Sequence, residues 1–266
     1  MKIRHLNCGS FCPRAPRLVV GPGHDYMPCH CLLIETSAGL VLVDTGLGLK
    51  DIEQGSRRIG RAFTAVGRPR LLESECAIRQ IEDLGYSPND VRHILVTHLD
   101  LDHAGGLSDF PQARVHVYGA EYRAATGQSH PRYVPAQFSE NEDWRLYDDL
   151  GERWFGFETV RALDGLPDDI LMIPTVGHTA GHAAIAVKGE DKWVLHCGDA
   201  YFHRGTVRPG EGPVPRLLGF FERTVQVDGK ARLHNQERLR NLVAQHGRDV
   251  DVFCSHDPVE FERRTR

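Results

Sequence analysis

Four apolar runs, far apart in this chain, each stop on a side chain that binds protons or metal ions. VRHILVT (91–97) delivers the backbone to His98, ILMIPTVG (170–177) to His178, KWVLHCG (192–198) to Asp199 and VDVFCS (250–255) to His256. Runs of this length, rich in Val, Ile and Leu, read as buried strands. Imidazoles and carboxylates at the ends of such strands are costly to bury singly. The chain is therefore constrained to gather its strand ends at one sheet edge, where α/β proteins assemble sites from distant sequence.

The stretches between these runs fit an α/β class. CHCLLIETSAGLVLVDTG (29–46) reads as two strands, HCLLIET and LVLVDT, around a Ser-Ala-Gly turn. In 73–84, Ala77, Ile78, Ile81 and Leu84 share one helical stripe and Gly85 follows as a stop. SPND (87–90) offers a Ser cap, Pro at the first helical position and Asp three residues after the cap, which predicts one short turn. ARVHVYG (113–119) is a further strand and EYRAAT begins a helix. Residues 235–247 form a helical pattern with Leu239, Leu242 and Val243 inward and Gly247 as its stop. No Pro/Gly/Ser linker divides the chain, so 1–266 is read as one domain.

Composition narrows the partners. The chain has 266 residues, 41% of them hydrophobic, enough for a full core. Its formal charge is -4 and its arginines are interleaved with acids, which argues against nucleic acid. No apolar run has the length of a membrane span, and the basic amino terminus lacks an apolar h-region, so neither a membrane nor a secretory signal is expected. Seven cysteines then point to reduced thiols and a cytoplasmic location. Cys8, Cys12, Cys29 and Cys31 have C-x3-C and C-x-C spacings, unlike paired zinc knuckles, and read as buried thiols.

HLDLDH (98–103) concentrates the chemistry, with His98, Asp100, Asp102 and His103 in six positions. Any one of them alone reads as a satisfied core histidine or a capping aspartate. Together with His178, Asp199 and His256 they form a set of imidazoles and carboxylates that suits zinc, iron or manganese better than calcium or magnesium.

THLDLDHAGGL, VGHTAGH, CGDA and CSHDP, in this order, resemble the metallo-β-lactamase superfamily, and LLIETSAGLVLVDTG resembles its opening strands. IRQIEDLGYSPNDVRHILVTHLDLDHAGGL and SHDPVEF are most similar to the N-acyl-homoserine lactonase branch. The resemblance implies an αββα sandwich, two mixed sheets flanked by helices, with a binuclear metal site at one edge. It also implies ligand roles for His98, Asp102, His103, His178, Asp199 and His256, with Asp199 as the bridge. Asp100 departs from the usual H-x-H-x-D-H pattern. As a ligand it would make a cluster of two divalent ions, three carboxylates and a hydroxide neutral, a weaker Lewis acid more tolerant of oxidised metal. The flavodiiron branch likewise has a carboxylate at this position. Zinc is the first expectation, with iron or manganese open.

The implied reaction is opening of a small-molecule lactone or ester by a metal-bound hydroxide, with Asp102 orienting the nucleophile. The alternatives are another hydrolase of this fold, acting on a thioester, phosphodiester or β-lactam, and a diiron redox or low-activity metal-binding protein. Tyr201 is the expected holder of the substrate carbonyl, two residues after Asp199 where the lactonases place a tyrosine three after. His182, flanked by Gly181, is expected to support the ligands rather than bind, and Cys197 to be a structural thiol. The DTG at 44–46 would serve an aspartic protease only with a second such loop, so Asp44 is expected to be structural. Tyr133, Phe138, Trp144, Tyr147, Trp154 and Phe155 are expected to wall an acyl pocket, or else to form a lid or a homodimer contact. The 208–216 stretch is expected to be a loop near the site.

Overall fold

The computed structural model describes residues 1–127, 132–139, 143–148, 151–157 and 161–265, with no side-chain description at 161–162. The strands in chain order are β1 (Lys2–Phe11), β2 (Met27–Thr36), β3 (Gly39–Val43), β4 (Val91–Leu95), β5 (Arg114–Tyr118), β6 (Trp144–Tyr147), β7 (Arg161–Ala162), β8 (Ile170–Pro174), β9 (Ala183–Lys188), β10 (Trp193–His196) and β11 (Val250–Phe253). The helices are α1 (Pro16–Val19), α2 (Leu49–Gln54), α3 (Ser56–Ile59), α4 (Arg61–Gly67), α5 (Ala77–Asp83), α6 (Leu101–Ala104), α7 (Gly119–Thr126), α8 (Arg216–Val225), α9 (Gly229–His246) and α10 (Pro258–Thr265).

One sheet runs β1 to β6 in sequence order and the other runs β11-β10-β9-β8-β7. Both are mixed: β1–β2–β3 pair antiparallel and β3–β4–β5–β6 parallel, while β10–β11 is the parallel pair of the second sheet. Period-two alternation explains how they stack. In the first sheet Leu32, Ile34, Val41 and Val43 meet Ile170, Met172, Ile185 and Val187 of the second, forming the layer between sheets. The intervening Leu33, Leu40 and Leu42 face outward onto Ala77 and Ile81 of α5. On the other side Ala184, Ala186, Leu195 and Val252 pack against Leu239 and Leu242 of α9. The result is the αββα sandwich that the resemblance implied.

Local signals acted as expected at several points. Ser87 caps a 3-10 turn over Pro88–Asp90, with the Asp90 carboxylate returning to the Ser87 N–H. The helix expected over 73–84 is a 3-10 turn at Glu73–Glu75 followed by α5, broken by extended Cys76. α9 begins six residues earlier than the apolar pattern suggests, because the Asp228 carboxylate caps the N–H groups of Lys230 and Ala231.

The aromatic segment does not form a common wall. Tyr133, Phe138 and Trp144 join the core outside the first sheet, Tyr147 lies between the sheets, and Trp154 and Phe155 pack outside the second. The expected acyl pocket walled by these rings is corrected accordingly: they are divided among three separate cores. Residues 128–131, 140–142, 149–150 and 158–160 of that segment lie outside the described residues. Among the described residues, no helix is long and apolar enough to cross a membrane.

Candidate metal centre

The ligand loops are held in place before any ion is considered. Past β4, the buried carboxylate of Asp44 accepts the backbone N–H of Thr97 at 2.7 Å and its hydroxyl at 2.8 Å. The same carboxylate contacts Nδ1 of His103 at 2.8 Å, so Asp44 fixes both ends of HLDLDH, the structural role expected of it. Asp44 sits at φ 55, a left-handed conformation tolerated best by Gly, Asn and Asp. The short α6 then places Asp102 and His103 in its first turn.

Glu121, fully buried on α7, joins this loop to the next. One oxygen accepts the Leu99 N–H at 3.0 Å and the other accepts the Gly181 N–H at 3.0 Å. Gly181 approaches so closely that a Cβ there would lie 2.0 Å from the Glu121 backbone nitrogen. The HLDLDH and GHTAGH loops are thus pinned to one carboxylate.

Asp199 lies between two groups of donors. Its Oδ2 is 3.4 Å from His178 Nε2 and 3.8 Å from His98 Nε2. Asp100 Oδ2 closes that group, 3.3 Å from His98 Nε2 and 3.1 Å from His178 Nε2. The other oxygen, Oδ1, is 3.4 Å from His103 Nε2 and 3.1 Å from His256 Nε2. Asp102 Oδ2 completes the second group, 3.5 Å from His256 Nε2 and 3.9 Å from His103 Nε2. Donors about 2.0–2.1 Å from a shared ion stand roughly 3.3 Å apart in a tetrahedral site, and the ligand atoms of His98, His178 and Asp199, and those of His103, Asp199 and His256, each lie within 4.8 Å of one another.

The donor chemistry fits as well. His103 and His256 turn Nδ1 to Asp44 and to the Pro28 carbonyl, the latter at 2.8 Å, which leaves each Nε2 pointing inward. His98 Nε2, His103 Nε2 and Asp199 Oδ1 are buried without a hydrogen-bond partner, the condition a metal ion relieves. Burial alone would lower the His103 pKa, yet the Asp199, Asp44 and Asp102 carboxylates hold it well above the ordinary imidazole value. Burial would raise Asp199, but His256 and His103 hold it well below the usual carboxylate range. In Asp102 burial prevails over its histidine neighbours and the pKa is raised.

Several neighbours fall where the sequence did not put them. Tyr201 is wholly buried in the core outside the second sheet, its hydroxyl 3.2 Å from each oxygen of Glu260. The expectation that it holds a substrate carbonyl is corrected: the chain turns after β10, and the next residue, Phe202, faces the site instead. Phe202 stacks on His256 with centroids 5.4 Å apart and meets His178 edge-on at 5.5 Å. Cys197 is a core thiol, as expected, with Sγ 3.8 Å from the Leu195 carbonyl. The cysteine beside the site is Cys29, whose sulfur lies within 4.8 Å of ligand atoms of Asp102 and His256. All seven cysteines are free.

Arg132 is the other group missed from sequence. Its guanidinium forks onto Asp100, donating from Nε to Oδ1 and, at 2.5 Å, from Nη2 to Oδ2. Nη2 also lies 2.6 Å from His178 Nε2, and Nη1 donates to the Val225 carbonyl at the end of α8. Burial would raise the Asp100 pKa, but His98 and Arg132 hold it well below the usual range.

Fold and donor sets together define an αββα sandwich whose clustered imidazoles and carboxylates at one edge could hold metal. The family model of the metallo-β-lactamase superfamily matches residues 24–242, and the chain belongs to that superfamily. A Mycobacterium tuberculosis protein named a probable metallo-hydrolase is 41% identical over 98% of this chain and 82% of its own length. An N-acyl homoserine lactonase of a Bacillus species is 29% identical, covering 89% of this chain and 84% of that protein. Among solved structures, a B. thuringiensis AiiA variant with N-decanoyl-L-homoserine at its active site superimposes with a TM-score of 0.75, covering 98% of this chain and 95% of that one at 22% identity.

Proposed function

We propose that this superfamily hydrolase opens a lactone or ester of a small molecule with an apolar acyl part. The observation that carries the reading is the division of Asp199, one oxygen toward His98 and His178 and the other toward His103 and His256. Two divalent ions there, zinc foremost given the imidazole content and iron or manganese otherwise, would lower the pKa of water toward neutrality and polarise a carbonyl. Asp102, at the open side of its donor group and partly exposed, orients the attacking oxygen. The lactonase names of the Bacillus relatives support a cyclic ester, whose leaving oxygen stays tethered.

An apolar path supports the acyl part. Phe202 covers His256 and His178, and Phe221 of α8 meets Phe202 edge-on at 5.8 Å. Leu217, Phe220 and Phe221 are exposed along α8, spaced as one helical stripe. The seven free thiols fit a reducing, cytoplasmic setting.

The test is a panel of acyl-homoserine lactones, aryl esters, thioesters, phosphodiesters and a β-lactam, run before and after chelation. Lactone or ester turnover that vanishes on chelation and returns with metal is expected. Full turnover after exhaustive metal removal, or turnover confined to phosphodiesters, would overturn the proposal.

A further inference from the structure

The two donor groups around Asp199 differ in one respect that spacing alone does not reveal. Among the described residues, the group of Asp102, His103 and His256 has inward-facing donors with no cationic side chain hydrogen-bonded to them, apart from its own imidazoles. The group of His98, Asp100 and His178 already contains a permanent cation. Arg132 is about as buried as its partner, with 13% of its side chain exposed, and is fixed from three directions: the Asp100 fork, the α8 terminus at Val225, and His178.

Arg132 Nη2 stands 2.6 Å from His178 Nε2, and Asp100 Oδ2 lies 3.1 Å from the same nitrogen. An ion on that nitrogen would need the space that Arg132 fills, and a guanidinium, which has only N–H donors, cannot join it as a ligand. Arg132 and an ion therefore exclude one another there. Asp100 is in a similar position, because Oδ2 faces His98 and His178 while accepting Arg132 Nη2. Before any ion arrives, the Asp100 carboxylate is paired with Arg132, whereas among the described residues no arginine lies on Asp102. The α8 carbonyl end further favours a cation where Arg132 lies.

We infer that Arg132 is a resident cation that makes the two ion positions unequal. One ion loads tightly on Asp102, His103, Asp199 and His256. The position of His98, Asp100 and His178 fills only when Arg132 releases His178, and its affinity is set by that exchange. The substitution of histidine by aspartate at 100 and the arginine at 132 then belong together: the carboxylate that departs from the family motif is the anchor of the arginine. This inference rests on the metal-dependent reading above and concerns occupancy rather than turnover.

The experiment is zinc titration by calorimetry on the metal-stripped full chain, with cobalt(II) absorption following each position and metal content measured after dialysis. Wild type should retain one ion per chain and bind another roughly tenfold or more weakly. Arg132→Met should retain two, with the weaker affinity tightened by roughly tenfold or more, the scale on which groups behind a ligand act. Arg132→Lys keeps a charge beside Asp100 without the fork. It should tighten the weaker ion by roughly threefold or more, and it decides the matter if Arg132→Met does not fold. Two ions of equal affinity in wild type, or a folded Arg132 variant with unchanged binding, overturns the inference alone. A chain that takes up no ion overturns the hydrolase reading with it.

Discussion

His182 Nε2 accepts the backbone N–H of Asp199 at 2.9 Å, while its Nδ1 lies 2.9 Å from the Thr175 hydroxyl. A histidine four residues from His178 is therefore occupied in aiming the carboxylate that lies between both donor groups. Its place is tight: a Cβ on Gly198, which sits at φ 49, would meet that same Nε2 at 2.6 Å. His182→Ala should cut kcat/KM by roughly ten- to a hundredfold and loosen metal retention, with the fold intact by circular dichroism. Wild-type metal content and rate in that variant would show the contact to be incidental.

Asp102→Ala and His178→Ala, each removing a donor from a different group, should abolish turnover. Cys12→Ala should leave it near wild type, since the Cys12 sulfur accepts from Arg70 Nε at 3.3 Å and belongs to neither donor group. If the cysteine variant were as damaging as the other two, the site would have to be redrawn to include the amino-terminal thiols.

Tyr201→Phe separates structure from chemistry. Removing the hydroxyl from Glu260 should lower stability by about 1 kcal/mol and leave the rate within about twofold of wild type. A large fall in rate with unchanged KM would restore Tyr201 to the reaction.

Glu121→Ala exposes two buried N–H groups, those of Leu99 and Gly181, to an apolar surround. Each such loss costs about 1–3 kcal/mol, so a denaturant midpoint distinctly below that of surface variants is expected, together with weaker metal retention. A variant as stable as wild type would mean that another group or water takes over both bonds.

Acid should weaken the fold through histidines outside both donor groups. Burial, with Arg264 adding to it, lowers His5 from 6.5 to about 4, and burial with His93 and Arg114 lowers His116 from 6.5 to about 3. Between these values the unfolded chain binds more protons than the folded one, so stability is complete above pH 6.5 and falls as pH drops toward 4. His116→Gln should flatten part of this slope in urea melts at pH 7 and pH 5, compared with wild type at the same metal loading. Parallel slopes for the two proteins would refute the assignment.

The donor set was legible because each member ends an apolar run or lies in HLDLDH, where strand pattern and residue chemistry coincide. Arg132 was not, since it belongs to a stretch without periodicity and its meaning depends on Asp100, thirty-two positions away. Tyr201 was misjudged because it stands two residues after Asp199 where the lactonase pattern has three, and past the end of β10 at His196 that single step turns its ring into the core. The edge strand β1 was also missed: in its buried end, Cys8 to Phe11, three of the four residues (Cys8, Gly9 and Ser10) are small and carry little apolar signal, and its pairing with β2 shifts register between Asn7 and Ser10.

His98, Asp100, Asp102 and His103 follow a strand of the first sheet, whereas His178, Asp199 and His256 follow strands of the second. Ions shared among them would rivet the two layers at one end, so their binding energy is also folding energy. Heat endurance then tracks the free-ion level around the protein. In a metal-starved cell such a chain would disappear through unfolding and proteolysis rather than persist as idle enzyme, and its abundance would report the metal supply.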